Sequence, residues 1–148
     1  MKLKLQLNKH HEQEIKNELL SMGVIISDNA ELILTEKSYH NGTLIAKDDS
    51  DKVVIPFSEI LYIESVGKTV YVHTNTKTYT TNTRIYELEN TLPNTAFIRI
   101  SNSVIIERNS IKRVIPGLSQ KFRLTIKNGD SVDVTRPYYY KFKEYYGI

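Results

Sequence analysis

The chain contains no cysteine. A thiol nucleophile, a Cys-ligated zinc or iron–sulfur centre and a disulfide framework are therefore excluded, and the composition suits a reducing, cytoplasmic setting. No apolar stretch approaches the roughly 18 residues from which a membrane-spanning helix is built. The opening Met1-Lys2-Leu3-Lys4-Leu5-Gln6-Leu7 alternates charged and apolar residues, unlike the continuous apolar core of a signal peptide. Gly-rich phosphate loops, HExxH and CxxC patterns are all missing. Adjacent His10 and His11, near Glu12 and Glu14, point to different sides of a helix and read as a solvated helix start. Gly129-Asp130-Ser131 lies in a turn, without the strand–turn–helix setting that activates a hydrolase serine. These absences argue against an enzyme, a small-molecule substrate, a metal and a cofactor.

What is present is a segregation of charge. The 148 residues suit one domain, or a main domain with a small appendage. Residues 1 to 52 carry seven Lys and Arg against nine Asp and Glu, whereas residues 53 to 148 carry thirteen against eight. Residues 99 to 143 alone hold ten basic side chains and three acidic ones. A stretch of that kind suits phosphate neutralisation, since each contact releases condensed counterions and adds sequence-independent affinity. A solvated basic face is the plainer alternative.

Periodicity separates two regions. Residues 2 to 7 alternate as a strand, and Asn8 is placed to cap a helix with Ile15, Leu19 and Met22 on one face, ended by Gly23. Val24-Ile25-Ile26 and Leu32-Ile33-Leu34, separated by Ser27-Asp28-Asn29, read as a hairpin. Residues 1–45 thus form a small β-α-β-β unit, and residues 40 to 52 read as turn and exposed loop. From Val53 the spacing predicts strands at 53–57, 60–64, 69–74, 77–81, 97–100, 103–107, 112–115, 121–126 and 131–135. Asn128-Gly129 is the dipeptide preferred in type I′ hairpins. One helix is expected near 83–92, capped by Thr83 and stopped by Pro93, and a second after Thr135-Arg136-Pro137. The fold class is mainly β with two short helices in this second region.

Within the basic region, Arg99-Ile100-Ser101-Asn102-Ser103 and Thr135-Arg136-Pro137 are loop segments able to project polar side chains. Arg and Asn can bond guanine and adenine edges, and Ser suits phosphates. Read from the residues alone, Arg99 and Arg136 could equally form ion pairs on a sheet, with Asn102 an ordinary turn residue.

The chain resembles the LytTR-type DNA-binding domain of bacterial transcriptional regulators. The resemblance rests on Ile60-Leu61-Tyr62-Ile63-Glu64-Ser65, Tyr71-Val72-His73-Thr74, Tyr79-Thr80-Thr81 and Leu88-Glu89-Asn90-Thr91-Leu92. It continues through Phe97-Ile98-Arg99-Ile100-Ser101-Asn102-Ser103, Ile111, Asn128-Gly129 and Val134-Thr135-Arg136, in order across residues 53–148. It implies an elongated β-β-β sandwich that meets the major groove by loops, two copies sitting on adjacent promoter repeats. It also implies double-stranded DNA contacts at Gly67, Lys68, Thr69, Ser101, Asn102, Ser103 and Arg136, with Asn102 and Arg136 on base edges, Lys68 nearer the backbone and Arg99 structural. Ser101-Asn102 stands where the family commonly has His followed by Lys or Arg. Glu107 replaces a characteristic Asn and is expected to pair with Arg108 or Arg123. Fifty-two preceding residues are too few for a phospho-receiver domain, so the resemblance is to stand-alone members, some restrained by a membrane-bound inhibitor protein. The first unit is then expected to serve dimerisation or such an inhibitor. Two rivals stand beside this reading. One is a β-rich protein-interaction module whose basic face binds an acidic partner. The other is a single-strand or RNA binder using Tyr138–Tyr140, Tyr145 and Tyr146 as stacking platforms.

Overall fold

Alternating Lys2–Gln6 forms strand β1, in a computed structural model that describes residues 1–7, 9–35 and 42–148. Helix α1 (Lys9–Ser21) follows, with Ile15 and Leu19 half-buried. The proposed cap Asn8 and the residue His40 lie outside the described residues, as do the side chains of His10 and His11. Met22 does not extend the apolar face. The helix ends at Ser21, Gly23 takes φ 83°, and Met22 is exposed in the turn between them.

The expected hairpin is replaced by a parallel sheet. β2 (Ile25–Ile26) and β3 (Leu32–Thr35) lie on opposite sides of β1, in the order β2-β1-β3. Ile25 N donates to Met1 O at 3.0 Å and Ser27 N to Leu3 O at 2.9 Å. The physical reason is the helix, which returns the chain to the start of β1 so that the next strand enters in the same direction. Leu3, Leu5, Ile26, Leu32 and Leu34 share one face by register.

The chain divides into the compact units Met1–Asn41 and Gly42–Ile148. Part of the segment read as loop is strand: β4 (Thr43–Asp48) pairs antiparallel with β5 (Asp51–Pro56), Leu44 opposite Ile55 and Ala46 opposite Val53. The acidic run Asp48-Asp49-Ser50-Asp51 supplies the turn between them, with Asp49 at φ 54°. Residues 43 to 45 therefore belong to the second unit. There β6 (Ile60–Val66), β7 (Thr69–Thr74), β8 (Thr78–Thr81), β9 (Phe97–Arg99) and β10 (Val104–Glu107) complete a seven-stranded sheet, β5-β4-β8-β7-β6-β10-β9. A three-stranded sheet, β11 (Ile111–Pro116), β12 (Phe122–Ile126) and β13 (Ser131–Val134), precedes α3 (Tyr139–Tyr146).

Both faces of the central strands are covered, so those strands read as near-continuous apolar runs. In β10, Val104 and Ile106 enter one core with Leu124, Val134 and Phe142, while Ile105 enters the other with Val72 and Leu88. A register shift between Ile60 and Tyr62 places Leu61 and Tyr62 together in the first core and Ile60 and Ile63 in the second. Helix α2 (Ile85–Thr91) covers the second core with Ile85 and Leu88, and Leu92 follows. Arg84 takes the cap position that Thr83 was expected to hold, without a side-chain bond. Thr83 instead donates its backbone N–H to Thr81 Oγ1 at 3.2 Å.

The tyrosine-rich end packs mostly inward. Tyr138, Tyr139, Tyr145 and Tyr146 lie against the first core, while Tyr140 is exposed. Tyr145 donates to Thr95 O at 2.9 Å and Tyr146 to Arg108 O at 2.7 Å. Burial pushes the Tyr145 phenol up to about 12, so it remains a neutral donor. Among the described residues no helix is long and apolar enough to cross a membrane.

Candidate nucleic-acid interface

Three loops of the second unit meet at one end of its strands. The first is the two-residue turn Gly67-Lys68, closed by the pair Val66 and Thr69. Gly67 has φ 60° at the first central position, as a type II′ hairpin turn requires. Lys68 is exposed at its tip and Thr69 half-buried at its base.

The second loop is Ser101–Ser103, closed by Ile100 N donating to Val104 O at 3.0 Å. Ser101 is buried, and its hydroxyl accepts from Ser103 N at 3.2 Å and lies 3.3 Å from Ser103 Oγ, so it shapes the loop from inside. Asn102 is exposed. Arg99 points back along the loop, donating from Nε to Ser101 O at 3.1 Å and from Nη2 to Asn102 O at 2.5 Å. Its Nη1 meets Glu89 of α2 at 3.3 Å. Arg99 is thus structural.

The third segment is the 3-10 turn Arg136–Tyr138, with Arg136 exposed and in no ion pair among the described residues. Hydrogen bonds join the three. Ser65 N donates to Ser103 O at 2.8 Å, Thr135 N to Ile100 O at 3.0 Å, and Tyr138 OH to Asn102 Oδ1 at 3.0 Å. Asn102 keeps its amide Nδ2 for an outside acceptor, and Oδ1 retains a second lone pair. Beside the loops lies a cleft of about 510 Å³ whose acids are Glu64 and Asp133. Asp133 is paired with Arg123 at 3.2 Å, and Glu64 lies 3.9 Å from His73. Among the described residues, Lys68 and Arg136 are exposed cations in no ion pair.

A family model for the LytTr DNA-binding domain matches residues 50–147. The chain belongs to the LytTr DNA-binding domain family. A solved LytTr DNA-binding domain from Bacillus cereus superimposes with a TM-score of 0.70 at 30% identity, covering 74% of this chain and all of that one. Among curated relatives, the sensory transduction protein LytT of Bacillus subtilis is 26% identical over 118 residues, which are 78% of this chain and 49% of the relative. LytT of Bacillus cereus is 32% identical over 92 residues, 62% of this chain and 37% of its own length. The chain spans half or less of these LytT proteins. It covers 82% of a Staphylococcus aureus protein named as an HTH-type transcriptional regulator, at 27% identity over 124 residues.

Two details of this LytTr domain depart from the sequence reading. Glu107 pairs with neither Arg108 nor Arg123 among the described residues. Its carboxylate accepts from Asn109 N at 2.8 Å, capping the turn Arg108–Ser110, because the chain bends there before β11 and leaves an N–H to satisfy. Burial raises its pKa above the ordinary carboxylate value. The second detail is a loop that sequence reasoning passed over. Pro116 is level with Phe122 and Phe122 with Val134, so Gly117–Lys121 emerges at the same end as Thr135-Arg136. Its visible signal was Pro116-Gly117 followed by an isolated Leu118 among polar residues.

Proposed function

We propose that this chain regulates transcription by sequence-specific binding to double-stranded promoter DNA, its loops entering the major groove. The observation that carries the reading is the convergence of the Gly67-Lys68 turn, the Ser101–Ser103 loop and the Arg136–Tyr138 turn at one end of a LytTr domain, held by the bonds of Ser65 to Ser103, Thr135 to Ile100 and Tyr138 to Asn102. The major groove, about 12 Å wide, admits elements of hairpin size. Asn102 and Arg136 read base edges, Lys68 meets a phosphate, Thr69 and Ser103 support the contact, and Ser101 holds the loop in shape. Two copies sit on repeats about one helical turn apart, which gives both the same groove face. The unit Met1–Asn41 supplies the dimer surface. A unit of that size is at the limit of independent stability, and it leaves Ile25, Leu32 and Ile33 exposed.

Fluorescence anisotropy on duplexes tiled upstream of the protein's own gene, against scrambled duplex at several salt concentrations, tests the reading. Asn102→Ala and Arg136→Ala should each weaken the selected duplex by roughly tenfold to a hundredfold, since a bidentate base contact contributes about 1–3 kcal/mol. Equal binding to every duplex, untouched by either substitution, would leave the basic face to an acidic protein partner.

A further inference from the structure

The segment that carries Arg136 is bounded by two loops, and only one has been assigned a role. Tyr138 bonds Asn102 of the Ser101–Ser103 loop, while Tyr140 accepts a hydrogen bond from Gln120 Nε2 at 2.7 Å. Gln120 belongs to Gly117–Lys121, the connection between β11 and β12. Gly117 N donates to Lys121 O at 2.9 Å and closes it. Inside that closure Ser119 and Gln120 hold φ 60° and 58°, two successive non-glycine residues in the left-handed region, a conformation that persists when the surroundings enforce it. The result is to hold Leu118 out to solvent at 90% exposure, beside exposed Lys121. Residues 108 to 129 contain six basic side chains and no acidic one.

We infer that the Gly117–Lys121 loop is a further duplex contact, Lys121 on a phosphate and Leu118 against a thymine methyl, extending the footprint past Arg136 on the side away from Asn102. The inference rests on the DNA-binding reading above. A lone apolar side chain beside a cation suits a groove edge, where the thymine C5-methyl is the apolar feature and the backbone supplies the anion.

The test uses the full chain and a duplex that the unaltered protein selects, with Lys121→Ala and Leu118→Ser. Both positions are exposed, and circular dichroism verifies the fold of each variant. Lys121→Ala should weaken selected and scrambled duplex alike and reduce the log–log salt slope by about one. Leu118→Ser should weaken the selected duplex several-fold and leave the scrambled one unchanged. Replacing thymine by uracil, one position at a time, should reproduce that loss at a single site. Variants that keep the unaltered affinity, slope and uracil response overturn the inference and leave the loop facing something other than DNA. If Asn102→Ala still abolishes selectivity, this inference fails alone; if the unaltered protein selects no duplex, the functional reading fails with it.

Discussion

Arg99 serves its own chain, and that decides what replacing it should do. Its guanidinium spans the carbonyls of Ser101 and Asn102 and the carboxylate of Glu89, with its side chain 15% exposed. Charge-assisted hydrogen bonds contribute about 1.5–3 kcal/mol each, and a lysine cannot reproduce the fork. Arg99→Lys should therefore lower affinity for the selected duplex roughly tenfold while leaving the salt slope unchanged; a slope reduced by one would make Arg99 a phosphate contact instead. His73 sets a pH dependence. Its ring stacks on Tyr62 with centroids 4.1 Å apart, Nδ1 lies 3.1 Å from Thr78 Oγ1, and buried Nε2 has no hydrogen-bond partner among the described residues. Burial lowers its pKa below the ordinary imidazole value, against the raising influence of Glu64 and of Asp130, which accepts from Tyr62 OH at 2.8 Å. The fold thus favours neutral imidazole, so this stability is present above the unfolded pKa and is lost as pH falls from there through the lowered folded pKa. Glu107, its pKa raised, works in the opposite sense but nearer the carboxylate range. Urea denaturation should show stability falling as the pH drops below about 6.5, with a flatter profile for His73→Phe. An identical profile in the variant would assign the dependence elsewhere.

At the scale of elements, turn chemistry governs the outcome. Asn128-Gly129 makes a hairpin, but not of the I′ type, because Asn128 does not take positive φ. Gly129 N donates to Ile126 O at 2.9 Å and Ile126 N to Asp130 O at 2.8 Å, giving a three-residue loop with Gly129 alone at φ 94°. That is the bulged alternative, and the side chain of Asn128 bonds Asp130 at both ends of its amide. Gly129→Ala should cost about 1 kcal/mol and Gly129→Asn less, as asparagine tolerates the left-handed region. Equal costs in a urea titration would discount the backbone explanation.

For the whole molecule, the division at Asn41/Gly42 has a direct consequence. A chain of residues 42–148 should fold cooperatively, whereas one starting at residue 53 loses β4 and with it buried Ala46 and the antiparallel partner of β5. The shorter chain should be less stable by several kcal/mol, as thermal unfolding would show; equal midpoints would contradict the strand pairing. Most strands from Val53 onward were legible because their apolar runs and punctuating turns repeat at short spacing, and the loops around Asn102 and Arg136 were legible as turn residues in a basic stretch, whereas the Lys68 turn was singled out only by the family resemblance. β4 was not, since Thr43–Asp48 is flanked by turn-prone residues that resemble a linker. The parallel pairing of β2 and β3 was hidden as well, because pairing partners are chosen by the path of α1 and not by local pattern. What the sequence by itself determined is the set of periodicities, the charge segregation and the family resemblance carried by residues 53–148. Tertiary structure alone decided which partners hold Arg99, that Ser101 is buried, and that Gly117–Lys121 stands beside Arg136. Those facts depend on strand register and on hydrogen bonds between residues far apart in the chain, which no local pattern encodes.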